Sequence, residues 1–170
     1  MRRAKSFLLW LVIIAVLAVI GHFMSRRSPG DPITGTARVM DGDSLLIGST
    51  RVRLHGIDAP ERDQECKDAN GKTYSCGRTA TRALANAIAR RSVTCEPVAV
   101  DRYDRDVAIC RVNDVDLAET MVRGGYAVDY FSRGRYEDAE REARNARRGL
   151  WAGEFQAPSS WRRTRCTALH

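Results

Sequence analysis

Apolar and polar positions divide this chain into a leader-like segment and a patterned domain. Phe7 to Ile20 is an unbroken apolar run of 14 residues, stretched to 18 by Gly21, His22, Phe23 and Met24. Arg2, Arg3 and Lys5 precede it, and Arg26 and Arg27 follow. A membrane span needs about 20 apolar residues and a signal-peptide core about 7–15. The run therefore reads as an uncleaved signal anchor or a cleaved signal peptide. The lack of an A-x-A site after it favours the anchor. The basic flank places residues 1–27 with their N-terminus in the cytoplasm and sends the rest outward, so the domain is periplasmic or extracellular. Ser28-Pro29-Gly30-Asp31-Pro32 has the chemistry of a short tether.

Beyond it the pattern changes to short alternating runs. Ile33–Met40 and Ser44–Gly48 flank Asp41-Gly42-Asp43, and Thr50–Ile57 places Val52, Leu54 and Ile57 against Arg51, Arg53 and His55, with a slip at Gly56. These three segments predict a β-meander. Ala80, Leu84, Ala87, Ile88 and Arg91 recur at helical spacing and predict a helix over 77–91. Val93–Val100 and Arg105–Val112 are rich in β-branched residues and flank the turn Asp101-Arg102-Tyr103-Asp104, predicting a hairpin. Asp116 and Glu119 form a capping-box pattern for a second helix that Gly124-Gly125 closes. Tyr136, Ala139, Ala143, Ala146 and Leu150 predict a third. Five strands with a helix between the third and fourth, in an α+β chain, is the layout of an OB-fold barrel. The domain is placed at 33–155, with 156–170 as a C-terminal tail.

Composition changes this picture in two respects. Of 28 basic and 21 acidic residues, five basic and no acidic ones lie in 1–27, leaving the rest nearly balanced. Affinity for nucleic acid must then come from local clusters, not from the +7 total. Five cysteines in an exported domain read as a disulfide framework. A hairpin centred on Asp101–Asp104 sets Cys95 directly opposite Cys110, where Cα atoms about 4.5 Å apart suit a bridge. Cys66 and Cys76 bracket a polar loop, and a bridge closing it contributes on the order of 3 kcal/mol. Cys166 is left over.

The chemistry concentrates at two stretches, Asp41-Gly42-Asp43-Ser44 and Arg53-Leu54-His55-Gly56-Ile57-Asp58-Ala59-Pro60-Glu61. In a meander Asp43 and Asp58 can converge, and two carboxylates, a carbonyl and water suit a hard cation such as Ca²⁺. Arg53 and Arg105 fit the clamping of a phosphodiester whose oxygens gain charge during cleavage. Arg141, Arg144, Arg147 and Arg148 alternate with Glu137, Asp138, Glu140 and Glu142, which reads as a solvated helix face.

These stretches, together with Asp101-Arg102-Tyr103-Asp104-Arg105, Met121–Ala127 and Arg148-Gly149-Leu150-Trp151, resemble the staphylococcal nuclease (thermonuclease) family over most of residues 33–155. The resemblance implies an OB-fold and a calcium-dependent nuclease acting on DNA and RNA without regard to the sugar. It implies Asp43, Asp58 and the Ala59 carbonyl as Ca²⁺ ligands, supported by Asp41 and Ser44. Glu61 would orient or deprotonate the attacking water, and Arg53 and Arg105 would bind the scissile phosphate. Arg102 and Tyr103 fall near the nucleotide position, and Tyr130 or Phe131 is the base-stacking aromatic. Products would carry 3′-phosphates, single strands would be preferred, and the protein would act as a monomer. Asp104 stands where the family usually has Gly, and it puts a carboxylate beside Arg105 with which Arg105 could pair. The alternative is a non-catalytic OB-fold module that binds nucleic acid or a partner at the cell surface.

Overall fold

The structure is a computed structural model that describes Trp10, Ile14 and residues 30–168. The N-terminal segment read as an anchor or signal peptide, and the side chain of Cys166, lie outside the described residues. Among the described residues, no helix is long and apolar enough to cross a membrane.

The predicted meander forms from β1 (Ile33–Val39), β2 (Ser44–Ile47) and β3 (Thr50–Leu54). It is antiparallel throughout, with Ala37 opposite Ile47 and Ser44 opposite Arg53. Inward positions are apolar, and Leu45, Val52 and Leu54 are buried. At Gly56 the strand breaks, and Ile57–Asp58 (β4) leaves the main sheet. The two-residue strands β5 (Cys66–Lys67) and β6 (Thr73–Tyr74) pair with each other before helix α1 (Cys76–Ile88), which buries Ala80, Leu84 and Ile88.

Strands β7 (Ser92–Val100) and β8 (Asp106–Val112) are the expected hairpin. β7 pairs antiparallel with β1, and β8 pairs parallel with β3, with Arg53 opposite Val107. Five strands thereby close into a barrel with α1 inserted between the third and fourth, the OB-like arrangement. Cys95 faces Cys110 across the hairpin, and the two are bonded with Cα atoms 4.0 Å apart, both fully buried inside the barrel. Nearer the turn the register shifts between Pro97 and Ala99, because proline has no N–H for the ladder. The second predicted disulfide, Cys66–Cys76, has a Cα separation of 5.6 Å and ties the β5–β6 loop to the start of α1.

After β9 (Val115–Asp116) comes α2 (Leu117–Arg123), capped as expected: Asp116 Oδ1 accepts from the Ala118 and Glu119 amides at 2.9 and 3.2 Å. The other half of the capping box is missing, because the Glu119 carboxylate pairs with Arg123 one turn on. Asp116 Oδ2 accepts instead from the buried Tyr136 hydroxyl at 3.1 Å. Val128–Asp129 (β10) pairs with β4.

Two helical expectations change. The third helix, α3 (Glu137–Asn145), stops short of Leu150, and a 3₁₀ turn follows at Gly149–Ala152. The Leu150 amide bonds the Gly125 carbonyl at 2.9 Å, a tertiary contact that bends the chain away from the helix axis. The interleaved charges on and just beyond α3 do form solvated ion pairs, including Arg144–Glu140 at 2.9 Å within the helix and Arg148–Glu142 at 2.7 Å, with Arg148 just past the helix end. The segment 156–170, read as a tail, contains a fourth helix, α4 (Pro158–Ala168). Proline at the first helical position is its one sequence cue.

Candidate active site

The barrel brings the two acidic stretches to one end. Met40 and Ser44 close the turn between β1 and β2 by an amide-to-carbonyl bond of 2.9 Å, and the Asp41 carboxylate accepts the Asp43 amide at 3.1 Å. Gly42 is required by packing, since a Cβ there would stand 2.7 Å from the Ala59 Cβ and 2.8 Å from that of Ala80. The loop carrying Asp43 is thus pressed onto the segment carrying Asp58 and Ala59. The Leu54 amide bonds the Asp43 carbonyl at 2.8 Å, which fixes Arg53 beside it.

Arg53 is the hub. Its Nη2 lies 3.1 Å from Asp43 Oδ2 and 3.0 Å from Asp58 Oδ1, and it donates to the Ile57 carbonyl at 3.4 Å. Asp43 and Asp58 are both buried, Asp58 completely. Asp43 also accepts from the Ser44 hydroxyl at 2.9 Å and from the Ala59 amide at 3.2 Å. Desolvation is the largest influence on Asp43. Arg53 opposes it, while Asp41 and Asp58 add to it, so the carboxyl is pushed up to about 7. For Arg53 the order of influences is similar, desolvation against the two carboxylates, but here the carboxylates prevail and its pKa rises.

Glu61 follows Pro60 on a short loop whose backbone is fixed from below. A Cβ on Gly77 would fall 1.8 Å from the Glu61 carbonyl oxygen, so only glycine lets the loop lie against the start of α1. The Gln64 amide bonds the Glu61 carbonyl at 2.8 Å, and the buried Gln64 side chain accepts the Glu61 amide at 3.3 Å.

Arg105 reaches the same place from the β7–β8 turn. Its Nη1 is 3.4 Å from the Ser44 hydroxyl. The partner it takes is Asp101 rather than Asp104, at 2.8 Å from Nε and 2.7 Å from Nη2. Asp101 Oδ1 also accepts the Tyr103 and Arg105 amides at 2.9 and 3.0 Å, which sets its carboxylate under Arg105. Burial works to raise the Asp101 pKa, but these hydrogen bonds outweigh it and hold the carboxyl below its ordinary value. Asp104 has φ of 59°, the left-handed geometry that glycine favours. Its charge has no part in holding Arg105, so Asp104→Asn is expected to leave turnover within about twofold of wild type.

Asp43, Arg53, Glu61 and Arg105 line one cleft of about 770 Å³, with Asp58 beneath its floor. Tyr103 and the edge-to-face pair Tyr130 and Phe131 (ring centroids 4.4 Å apart) line it too, and Phe131 is 81% exposed. Arg102 stays at the rim, donating to the Tyr103 hydroxyl at 2.8 Å. Two arginines of the cleft were not foreseen as site residues: Arg51, whose Nη2 donates to the Tyr103 carbonyl at 2.6 Å, and Arg162. Arg162 of α4 donates to Glu61 Oε1 at 2.7 Å and to both Asp58 oxygens at 3.0 and 3.1 Å.

The donor chemistry fits a hard divalent cation. Asp43 and Asp58 are oxygen donors drawn together on one guanidinium, and desolvation, reinforced by Asp41 and Asp58, leaves Asp43 reluctant to carry charge without further positive charge nearby.

Residues 51–153 match the family model described as staphylococcal nuclease homologue. The chain is 38% identical over 143 residues to the succinoglycan biosynthesis protein ExoI of Rhizobium meliloti (strain 1021), covering 81% of this chain and 75% of that protein. It is 32% identical over 168 residues to a micrococcal nuclease of Shigella flexneri, covering 88% of this chain and 91% of that one. A probable staphylococcal-like nuclease of rice, CAN3 of Oryza sativa subsp. japonica, is 34% identical over 125 residues, 71% of this chain but only 30% of that longer protein. The chain belongs to the staphylococcal nuclease family and is a nuclease.

Proposed function

We propose that this nuclease is calcium-dependent, acts on DNA and RNA alike, and leaves 3′-phosphates and 5′-hydroxyls. The observation that carries the reading is the sharing of one Arg53 nitrogen by Asp43 and Asp58, at 3.1 and 3.0 Å, in a cleft that also holds Glu61 and Arg105. Asp43, Asp58 and the Ala59 carbonyl would hold Ca²⁺, which supplies positive charge to the phosphate oxygens when bound. Arg53 and Arg105 grip the scissile phosphate and offset the charge that grows on it. Glu61 orients a water, or takes its proton, for attack on phosphorus. The bond to the 5′-oxygen breaks and the phosphate stays on the 3′ side. Tyr103, Tyr130 and Phe131 offer faces for unstacked bases and Arg102 a rim charge, so single strands are preferred over duplex.

The reading extends to location. Two disulfides suit an oxidising compartment, and the basic-flanked apolar run suits anchoring of a monomeric domain outside the cytoplasm. The test uses the full oxidised chain in mild detergent with single-stranded DNA and RNA. Cleavage is expected to require Ca²⁺, to stop with a calcium chelator, and to yield 3′-phosphate termini by end-group analysis. Glu61→Gln should lower turnover by about 10²–10⁴-fold at unchanged thermal stability. Full activity in chelator, or in Glu61→Gln, would refute the reading.

A further inference from the structure

The C-terminal helix α4 enters the cleft from outside the residues matched by the family model. It is held there at several points. The buried Gln64 side chain donates to the Gln156 carbonyl at 2.7 Å, Pro158 is buried, and Arg165 pairs with Asp63. The partners of the first and last of these anchors, Gln64 and Asp63, lie on the loop of Glu61. Arg162, about one turn into the helix, is thereby delivered between two carboxylates. Its Nη1 bonds Glu61 Oε1 at 2.7 Å and Asp58 Oδ1 at 3.0 Å, and its Nη2 bonds Asp58 Oδ2 at 3.1 Å.

The asymmetry between those two carboxylates decides what Arg162 is for. Asp58 is wholly buried and is also held by Arg53. Glu61 has its backbone fixed by Gln64, but its side chain is a third exposed and projects into the open cleft. A carboxylate that must aim a water needs its rotamer fixed, because a displacement of about 1 Å at the reacting group can cost on the order of 10²-fold. Arg162 can supply that constraint, with a planar fork anchored on the buried Asp58 and its Nη1 also on the partly exposed Glu61.

We propose that Arg162 is a positioning residue of the nuclease: it sets the Glu61 carboxylate at a fixed distance from Asp58, and α4 is a working part of the catalytic unit. The inference rests on the role given to Glu61 above. The test is steady-state cleavage of single-stranded DNA by the full chain, comparing wild type, Arg162→Ala, Arg162→Lys, Glu61→Gln and the double variant Arg162→Ala/Glu61→Gln, each with its melting curve. Arg162→Ala is expected to lower kcat by about 30-fold with KM changed less than about threefold. Arg162→Lys, which keeps one donor but not the fork, should recover part of the loss. In the Glu61→Gln background, loss of Arg162 should change kcat by less than about twofold, since its effect passes through Glu61. Lysine decides the matter if the alanine variant does not fold.

An unchanged kcat, a rise in KM alone, or losses that multiply in the double variant would each overturn the proposal. So would a gain in turnover, which would make α4 an obstruction. If Glu61→Gln itself is fully active, the role of Glu61 falls first; if Glu61→Gln is impaired and Arg162→Ala is not, only the present inference falls.

Discussion

Asp43→Asn is expected to make the protein more stable and nearly inactive at once. At pH 8 in chelator, the variant should gain about 2 kcal/mol in urea unfolding over wild type. At saturating Ca²⁺ its turnover should fall about a thousandfold. The gain follows from burial. Desolvation, reinforced by Asp41 and Asp58 against the pull of Arg53, raises the Asp43 pKa from 3.8 to about 7. The native state therefore holds its proton more tightly than the unfolded chain, and its stability falls as pH rises from about 4 to 7. Above pH 7 the full penalty applies, on the order of 4 kcal/mol for a displacement of this size. Asparagine removes it, and the weakened contact with Arg53 returns part of the gain. The advantage of the variant should shrink steadily between pH 7 and pH 4. A gain that does not vary with pH, or no gain, would mean that Asp43 is better solvated than its burial indicates.

Much of this site was legible from sequence. Asp43, Arg53 and Asp58 are placed by short-range devices: a turn with a packing glycine, a strand register, and a strand that breaks at Gly56. Each has a local signature, so their convergence could be anticipated from a β-meander alone. The barrel order was legible for the same reason, through alternation and the matching of Cys95 with Cys110. What escaped depended on contacts between distant segments. The overrun of the third helix reflects an amide of Leu150 meeting a carbonyl of Gly125, which periodicity cannot register. Arg162 bonds residues more than a hundred positions earlier, from a helix with no apolar repeat. Its cue, Pro158 at the helix start, marks a helix but not its destination. The partner of Arg105 escaped for a local reason. Sequence adjacency favoured Asp104, whereas the turn places the Asp101 carboxylate where it already accepts two amides.

The complementary change, Arg53→Ala, should act with the opposite sign on stability. Removing the guanidinium leaves Asp43 with Ser44 and Ala59 as donors and leaves Asp58 with Arg162. Breaking one side of a buried ion pair costs about 3–5 kcal/mol, because a charge is left in a poorly solvated place. The loss should therefore be of that order in chelator at pH 8, measured by urea unfolding. Neutralising the neighbour should relieve it: in an Asp43→Asn background the cost of Arg53→Ala should drop by about 1.5 kcal/mol or more, the coupling expected for groups in direct contact. On the phosphate-gripping role proposed for Arg53, catalysis will not be rescued in parallel, since that guanidinium is lost whatever happens to the carboxylates. Arg53→Lys separates the two roles. A lysine keeps the charge and much of the stability, but it cannot span Asp43, Asp58 and the Ile57 carbonyl, so kcat/KM should remain about 10²-fold below wild type. Additive stability effects in the double variant would show that Arg53 and Asp43 are not coupled.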